Sequence, residues 1–184
     1  AIRDATATIE STPLIIASIL SKKVAAGLDG LVLDIKTGSG AFMATDAQAR
    51  DLAAAIIGTA AEIGLPTRAL VTDMNEVLGL SAGNAVEVAE AIDHLTGRRR
   101  EPRLDEIVLA LAAELLLLSG LAADAGEARD RAARSLDSGA AAERFSRMVA
   151  GLGGPADLLE GPERHLPGAP VILPVFADRA GYLA

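Results

Sequence analysis

The chain has 184 residues, no cysteine and a formal net charge of −8, and 51% of it is hydrophobic but only 2% aromatic. That apolar fraction excludes intrinsic disorder and suffices for a packed core in one domain or two small ones. Without cysteine there is no disulfide framework and no thiolate zinc site, which fits a reducing, cytoplasmic setting. The acidic balance and scarce aromatics argue against nucleic acid as a partner, because phosphates would meet little positive charge and bases no stacking platform. The longest apolar run, Ile107 to Leu118, carries Glu114 and is shorter than the roughly 20 residues of a membrane span, so it reads as a buried helix. No membrane partner is expected.

In chain order, Ala1-Ile2-Arg3-Asp4 shows neither an initiator Met nor a signal-peptide layout, and the expectation is a piece of a longer protein. Thr12 reads as an N-cap and Pro13 as the first helical position, with Gly27 as the stop, which predicts a helix over 13–26. Leu31 to Lys36 (LVLDIK) reads as a strand, and Thr37-Gly38-Ser39-Gly40 as a glycine-rich turn. Thr45 with Gln48 forms a capping box that opens a helix to Ile63, ended by Gly64. After Pro66 a second strand runs from Thr67 to Thr72, so this is a β-α-β unit with parallel strands.

Asn84 and Glu87 read as a further capping box, with a helix to about Leu95. Pro102 opens a long apolar helix to Ser119, Asp124 with Glu127 caps one to Leu136, and another covers about 139–150 before the loop Gly151 to Pro155. A Pro/Gly-rich linker over 161–170 leads to Val171–Ala177, which reads as a third strand whose Pro174 suits an edge or bulge. Three strands beside six or seven helices is a small share of a buried parallel sheet, so both ends look cut from something larger.

Four groups of residues could carry chemistry. Ser18 and Lys22 are four apart on one helix face, and Arg3 lies in the segment feeding that helix. Two cations and a hydroxyl suit a flat ligand with carbonyl oxygens and would stabilise it as an anionic leaving group; a solvated lysine face explains the same spacing. The turn Lys36 to Gly40 follows a strand and precedes a helix, where backbone amides can cradle phosphate, although it matches neither G-x-G-x-x-G nor the Walker pattern and a plain tight turn reads equally well. Asp73-Met74-Asn75 ends the second strand, and the loop Leu78 to Gly83 with Glu87 could hold a hard cation, unless Glu87 only caps its helix. His94 and His165 stand apart from any triad or zinc pattern, and Arg98-Arg99-Arg100 with Arg103 reads as a solvated inter-helix cluster.

The wording of the motifs goes further. Arg3-Asp4-Ala5-Thr6-Ala7-Thr8-Ile9-Glu10-Ser11, Ala17-Ser18-Ile19-Leu20-Ser21-Lys22-Lys23 and Leu33-Asp34-Ile35-Lys36-Thr37-Gly38-Ser39-Gly40-Ala41-Phe42-Met43 resemble the thymidine/pyrimidine-nucleoside phosphorylases. The likeness continues through Leu70 to Asn75 and Gly83 to Val88, and returns at Gly139 to Met148 and Val175 to Asp178. The resemblance implies a helix-rich α/β fold of the nucleoside phosphorylase/phosphoribosyltransferase type. Residues 1–26 would be a piece of the helical, base-binding lobe, and 27–184 part of the mixed or parallel α/β, phosphate-side domain.

It implies reversible phosphorolysis of a pyrimidine nucleoside by inorganic phosphate, a co-substrate, without an organic cofactor and in a cytoplasmic homodimer. The base-holding Arg, Ser and Lys of the family fall on Arg3, Ser18 and Lys22. A potassium ion held in some members corresponds to main-chain oxygens of Leu78 and Ser81 with Glu87. The family's Lys-His-Ser-Thr-Gly-Gly-type phosphate loop has no counterpart here, so no phosphate-binding or catalytic residue is assigned, and the isolated chain is expected to be inactive. Two other readings stay open: a non-catalytic base-binding or assembly module, and a nucleoside-monophosphate phosphorylase or phosphoribosyltransferase relative.

Overall fold

A computed structural model describes residues 5–181. Its centre is the β-α-β unit: β1 (Leu31–Thr37) and β2 (Thr67–Asp73) pair in parallel, Leu31 opposite Thr67 through Thr37 opposite Asp73. The crossover between them is α2 (Asp46–Glu62), opened by the expected box: Thr45 Oγ1 accepts from the Gln48 amide at 3.3 Å, and Gln48 Oε1 accepts from the Thr45 amide at 3.1 Å.

Ala49, Leu52, Ile56 and Ala60 form the buried stripe of α2, spaced as a helix with one covered face must be. They meet Leu31, Leu33 and Ile35 of β1 and Ala69 and Val71 of β2, alternate residues that all point to one side of the sheet. The helix α1 (Thr12–Ala25) packs on α2, and its Leu20 enters the same core. Each Leu, Ile or Val side chain of this kind contributes about 1.5–3 kcal/mol when fully buried.

Against the other face lies α4 (Pro102–Leu118). Arg103 near its start meets Asp73 at the end of β2, and Glu114 near its end meets Arg68 at the start of β2, so α4 runs antiparallel to the strands. Leu118 packs so closely on Gly30 that a Cβ there would come within 3.0 Å of Cδ2. A smaller helical layer completes the described chain: α3 (Asn84–Thr96), α5 (Ala125–Asp137) and α6 (Ala140–Gly151), with α5 on α4 and α6 touching both α5 and α3. Leu109 of α4 and Ala132 and Leu136 of α5 centre that second core.

Three boundaries differ from the sequence reading, each for a local reason. The Ser11 carbonyl accepts the Ile15 amide, so Thr12 is already helical and Ser11 takes the cap. At α3 the cap is Gly83, with φ 135°, and Asn84 lies inside the helix; Glu87 supplies only half a box, its Oε1 accepting from the Gly83 amide at 2.8 Å. The expected strand Val171–Ala177 does not form: the segment has no ladder partner among the described residues and its side chains face solvent. A single 3₁₀ turn, Pro162–Arg164, stands in the linker before it.

Candidate functional site

A cleft of about 530 Å³ opens along β1, between α1 and the loop that follows the strand. Ser18 and Lys22 line it from α1, together with Ile15 and Ile19. Their four-residue spacing brings Lys22 Nζ to 3.4 Å from Ser18 Oγ, to which it donates. Opposite stand Phe42, Met43 and Met74, and Ile9 closes one end. The cleft therefore has largely apolar walls with a few polar groups, Ser18 and Lys22 on α1 and the Asp34 and Lys36 pair on β1, the composition expected of a small-molecule site with a few orienting polar groups. Arg3, the third member of the expected set, lies outside the described residues.

The glycine-rich turn has a structural task. The Gly38 amide donates to Met43 O at 3.2 Å, Ser39 to Asn75 Oδ1 at 3.0 Å, Gly40 to Met74 O at 3.0 Å and Ala41 to Gly38 O at 3.0 Å. Four successive donors are thus engaged within the protein, and none is left to cradle a phosphate. The glycines serve close approach instead. A Cβ on Gly38, whose φ is +116°, would come within 2.7 Å of Asn75 Oδ1, and one on Gly40 within 2.7 Å of Met74 O.

Lys36 is half-buried and satisfied within the sheet. Its Nζ pairs with Asp34 Oδ2 at 2.7 Å and donates to Thr72 Oγ1 at 2.8 Å, and the Thr72 hydroxyl in turn donates to Asp34. The sequence reading passed over this trio, although opposite charges two apart on one strand face signal such a pair.

The loop Leu78 to Gly83 meets two carboxylates: Glu87 Oε1 accepts from the Gly83 amide at 2.8 Å, and Glu90 Oε1, one helical turn on, accepts from the Leu80 amide at 2.8 Å. That amide holds the Glu90 carboxyl below the usual carboxylate range, against a smaller opposing effect of burial. Gly79 permits the approach, since a Cβ there would come within 2.7 Å of Glu90 Oε1. Among the described residues no three His, Cys, Asp or Glu side chains converge as metal ligands do.

A second cavity, of about 240 Å³, lies behind this loop and is lined by Leu80, Ser81, Glu90, His94, Glu101 and Leu104, among others. His94 is 5% exposed, neither ring nitrogen has a hydrogen-bond partner, and Nε2 stands 3.6 Å from Asp105 Oδ1. Burial pushes the imidazole below its ordinary pKa, Arg100 adds to that, and Asp105 opposes it. In the arginine cluster Arg98 and Arg99 are exposed, as expected of a solvated loop, while Arg98 also reaches Leu159 O and Asp93, Arg100 reaches Asp137, and Arg103 reaches Asp73.

Residues 1–142 match the family described as "Glycosyl transferase family, a/b domain". The chain belongs to that family. Its parallel β-α-β core and flanking helices suit an α/β domain of such glycosyl transferases. The chain is 59% identical over 181 residues to proteins named thymidine phosphorylase in Burkholderia cenocepacia (strain HI2424) and Burkholderia orbicola (strain AU 1054), and 58% identical to one in Burkholderia lata. Those alignments cover 98% of this chain and 41% of each relative, so it spans less than half the length of the curated relatives it matches. No helix among the described residues is long and apolar enough to cross a membrane.

Proposed function

We propose that this chain supplies the pyrimidine-binding side of a pentosyltransferase that phosphorolyses pyrimidine nucleosides, thymidine with phosphate giving thymine and 2-deoxyribose 1-phosphate. The observation that carries the reading is the placement of Ser18 and Lys22, adjacent at 3.4 Å, on one wall of an apolar cleft wide enough for a nucleobase. Breaking the glycosidic bond leaves negative charge on the pyrimidine. The Lys22 ammonium, with Arg3 beside it in the proposed arrangement, would stabilise that charge as it develops, while the Ser18 hydroxyl orients a ring carbonyl or N–H. The apolar walls take the faces and the C5-methyl, C6–H edge of the ring. The names of the 59%-identical relatives support the same substrate.

Phosphate is held elsewhere in this proposal, in agreement with a glycine-rich turn whose four amides are already engaged. A potassium ion would take main-chain oxygens of Leu78 and Ser81 together with the Glu87 carboxylate, whose Oε1 also accepts from the Gly83 amide. Residues 1–26 act as the base-holding segment and 27–184 as the α/β part, within a cytoplasmic homodimer. An open apolar groove along α1 and α2, lined by Pro13, Ile16, Val24 and Ile63, supports burial of this side against further protein.

Calorimetry with thymine tests the reading. Lys22→Ala should weaken binding about tenfold or more, since a hydrogen bond to a charged group contributes about 1.5–3 kcal/mol. Ser18→Ala should weaken it less. Equal affinity in wild type and Lys22→Ala would overturn the proposal.

A further inference from the structure

The loop that forms the far wall of the cleft is fastened across the sheet to the loop after β2. Asn75 Oδ1 accepts from the Ser39 amide at 3.0 Å, and the Asn75 side-chain amide donates to Asp73 Oδ1. Asp73 is held in turn from α4: Arg103 Nη2 donates to its Oδ2 at 2.8 Å and to its carbonyl at 3.0 Å. Arg103 also reaches Val77 O at 3.5 Å and lies 3.7 Å from Glu76. A continuous chain of polar contacts, Arg103 to Asp73 to Asn75 to Ser39, therefore runs from the helix on one side of the sheet to the loop that carries Phe42. Phe42 is 72% exposed, so its position depends on its backbone and not on packing of its own.

The geometry points to Asn75 as a positioning residue for the cleft, one that holds the Gly38–Met43 wall against the bound base through Ser39. This rests on the base-binding reading above. Only a carboxamide meets both demands at this place, because one end must accept from an amide while the other donates to a carboxylate. Alanine would leave the Ser39 amide without its side-chain partner. Aspartate would keep the acceptor but set two carboxylates against each other, a repulsion close to Arg103, Glu76 and the ends of both strands. Exchanging the two residues, Asp73→Asn with Asn75→Asp, restores a donor–acceptor pair and still offers Arg103 a carbonyl oxygen.

The test uses the whole 184-residue chain as wild type, N75A, N75D and the D73N/N75D double variant, with Lys22→Ala as reference. Amide hydrogen exchange is read by NMR over Ser39 to Met43, and thymine affinity by calorimetry. N75A should exchange the Ser39 amide about tenfold faster, because its protection comes from this local contact, and N75D should exchange it faster because repulsion from Asp73 drives the carboxylate acceptor away. They should weaken thymine roughly fivefold, the size of one lost hydrogen bond. The double variant should recover most of both effects, and this keeps the test decisive even if N75A folds poorly. Unchanged Ser39 exchange in N75A, faster exchange with undiminished affinity, or a double variant no better than N75D would each overturn the inference. Thymine affinity that Lys22→Ala does not reduce sinks the base-binding reading alone, and a wild type that binds no thymine sinks both.

Discussion

Two apolar runs of nearly the same character meet opposite fates. Leu31–Lys36 becomes β1, its Leu31 and Ile35 each 7% exposed against α2. Val171–Ala177 is equally rich in β-branched residues, yet Ile172 is 83% and Val175 94% exposed and no strand forms. The difference lies outside the runs. β1 is followed by a glycine turn, a capped helix and a second strand in matched register, so each residue finds both a ladder partner and a covering face. The C-terminal run follows a Pro/Gly-rich linker and has neither among the described residues. β-propensity expresses a fit to a half-buried pleated surface, and without that surface it decides nothing.

The same substitution in the two runs gives the largest expected contrast. Ile35→Ala should destabilise by about 2–5 kcal/mol in denaturant titrations, as core truncations do. Ile172→Ala should stay within about 0.5 kcal/mol. Similar losses at both sites would mean that the C-terminal run is packed in solution, and the comparison would collapse.

A smaller effect sharpens why the first run is anchored. Gly38→Ala adds a Cβ at φ +116° against Asn75, and the melting transition should report a loss of roughly 1–3 kcal/mol. Gly168→Ala, where a Cβ would meet nothing, is the matched control in the linker of the unpaired run.

The smallest effect concerns a buried polar group placed by packing alone. His94 has its pKa lowered on folding, so the unfolded chain binds the extra proton as pH drops below about 6.5 and stability falls with it. Stability should therefore fall as pH drops from 7 to 5.5, and His94→Gln should remove this part of the slope. The carboxylate of Glu90 shifts downward and acts in a lower window, where stability is lost as pH falls through the acid range. A slope between pH 7 and 5.5 that survives His94→Gln would show that another group is responsible.

Local chemistry made much of the molecule legible. The β-α-β unit was readable because the Thr45–Gln48 box, Gly64 and the two β-branched runs all agree, and Asp124 and Glu127 marked α5 equally well. Ser18 and Lys22 could be placed on one face from spacing alone, and the structure sets them together at the cleft. Contacts between distant residues were not readable. Glu87 and Glu90 both precede apolar positions of α3, and only the path of the preceding loop decides which of them meets Leu80. Asn75 gave no sign in the sequence that its partner would be Ser39, 36 positions away.

The order of residues alone determined, to within a residue or two, where helices begin and end, together with which strands are parallel and which helix face carries the cationic patch, because caps, glycines and periodicity act within a few positions of one another. Tertiary structure decided which apolar run became a strand, which glutamate meets Leu80 and which meets Gly83, and that the glycine-rich turn is a joint between two loops. Each of those outcomes depends on groups brought together across the sheet, where burial and competing hydrogen-bond partners outweigh local preference.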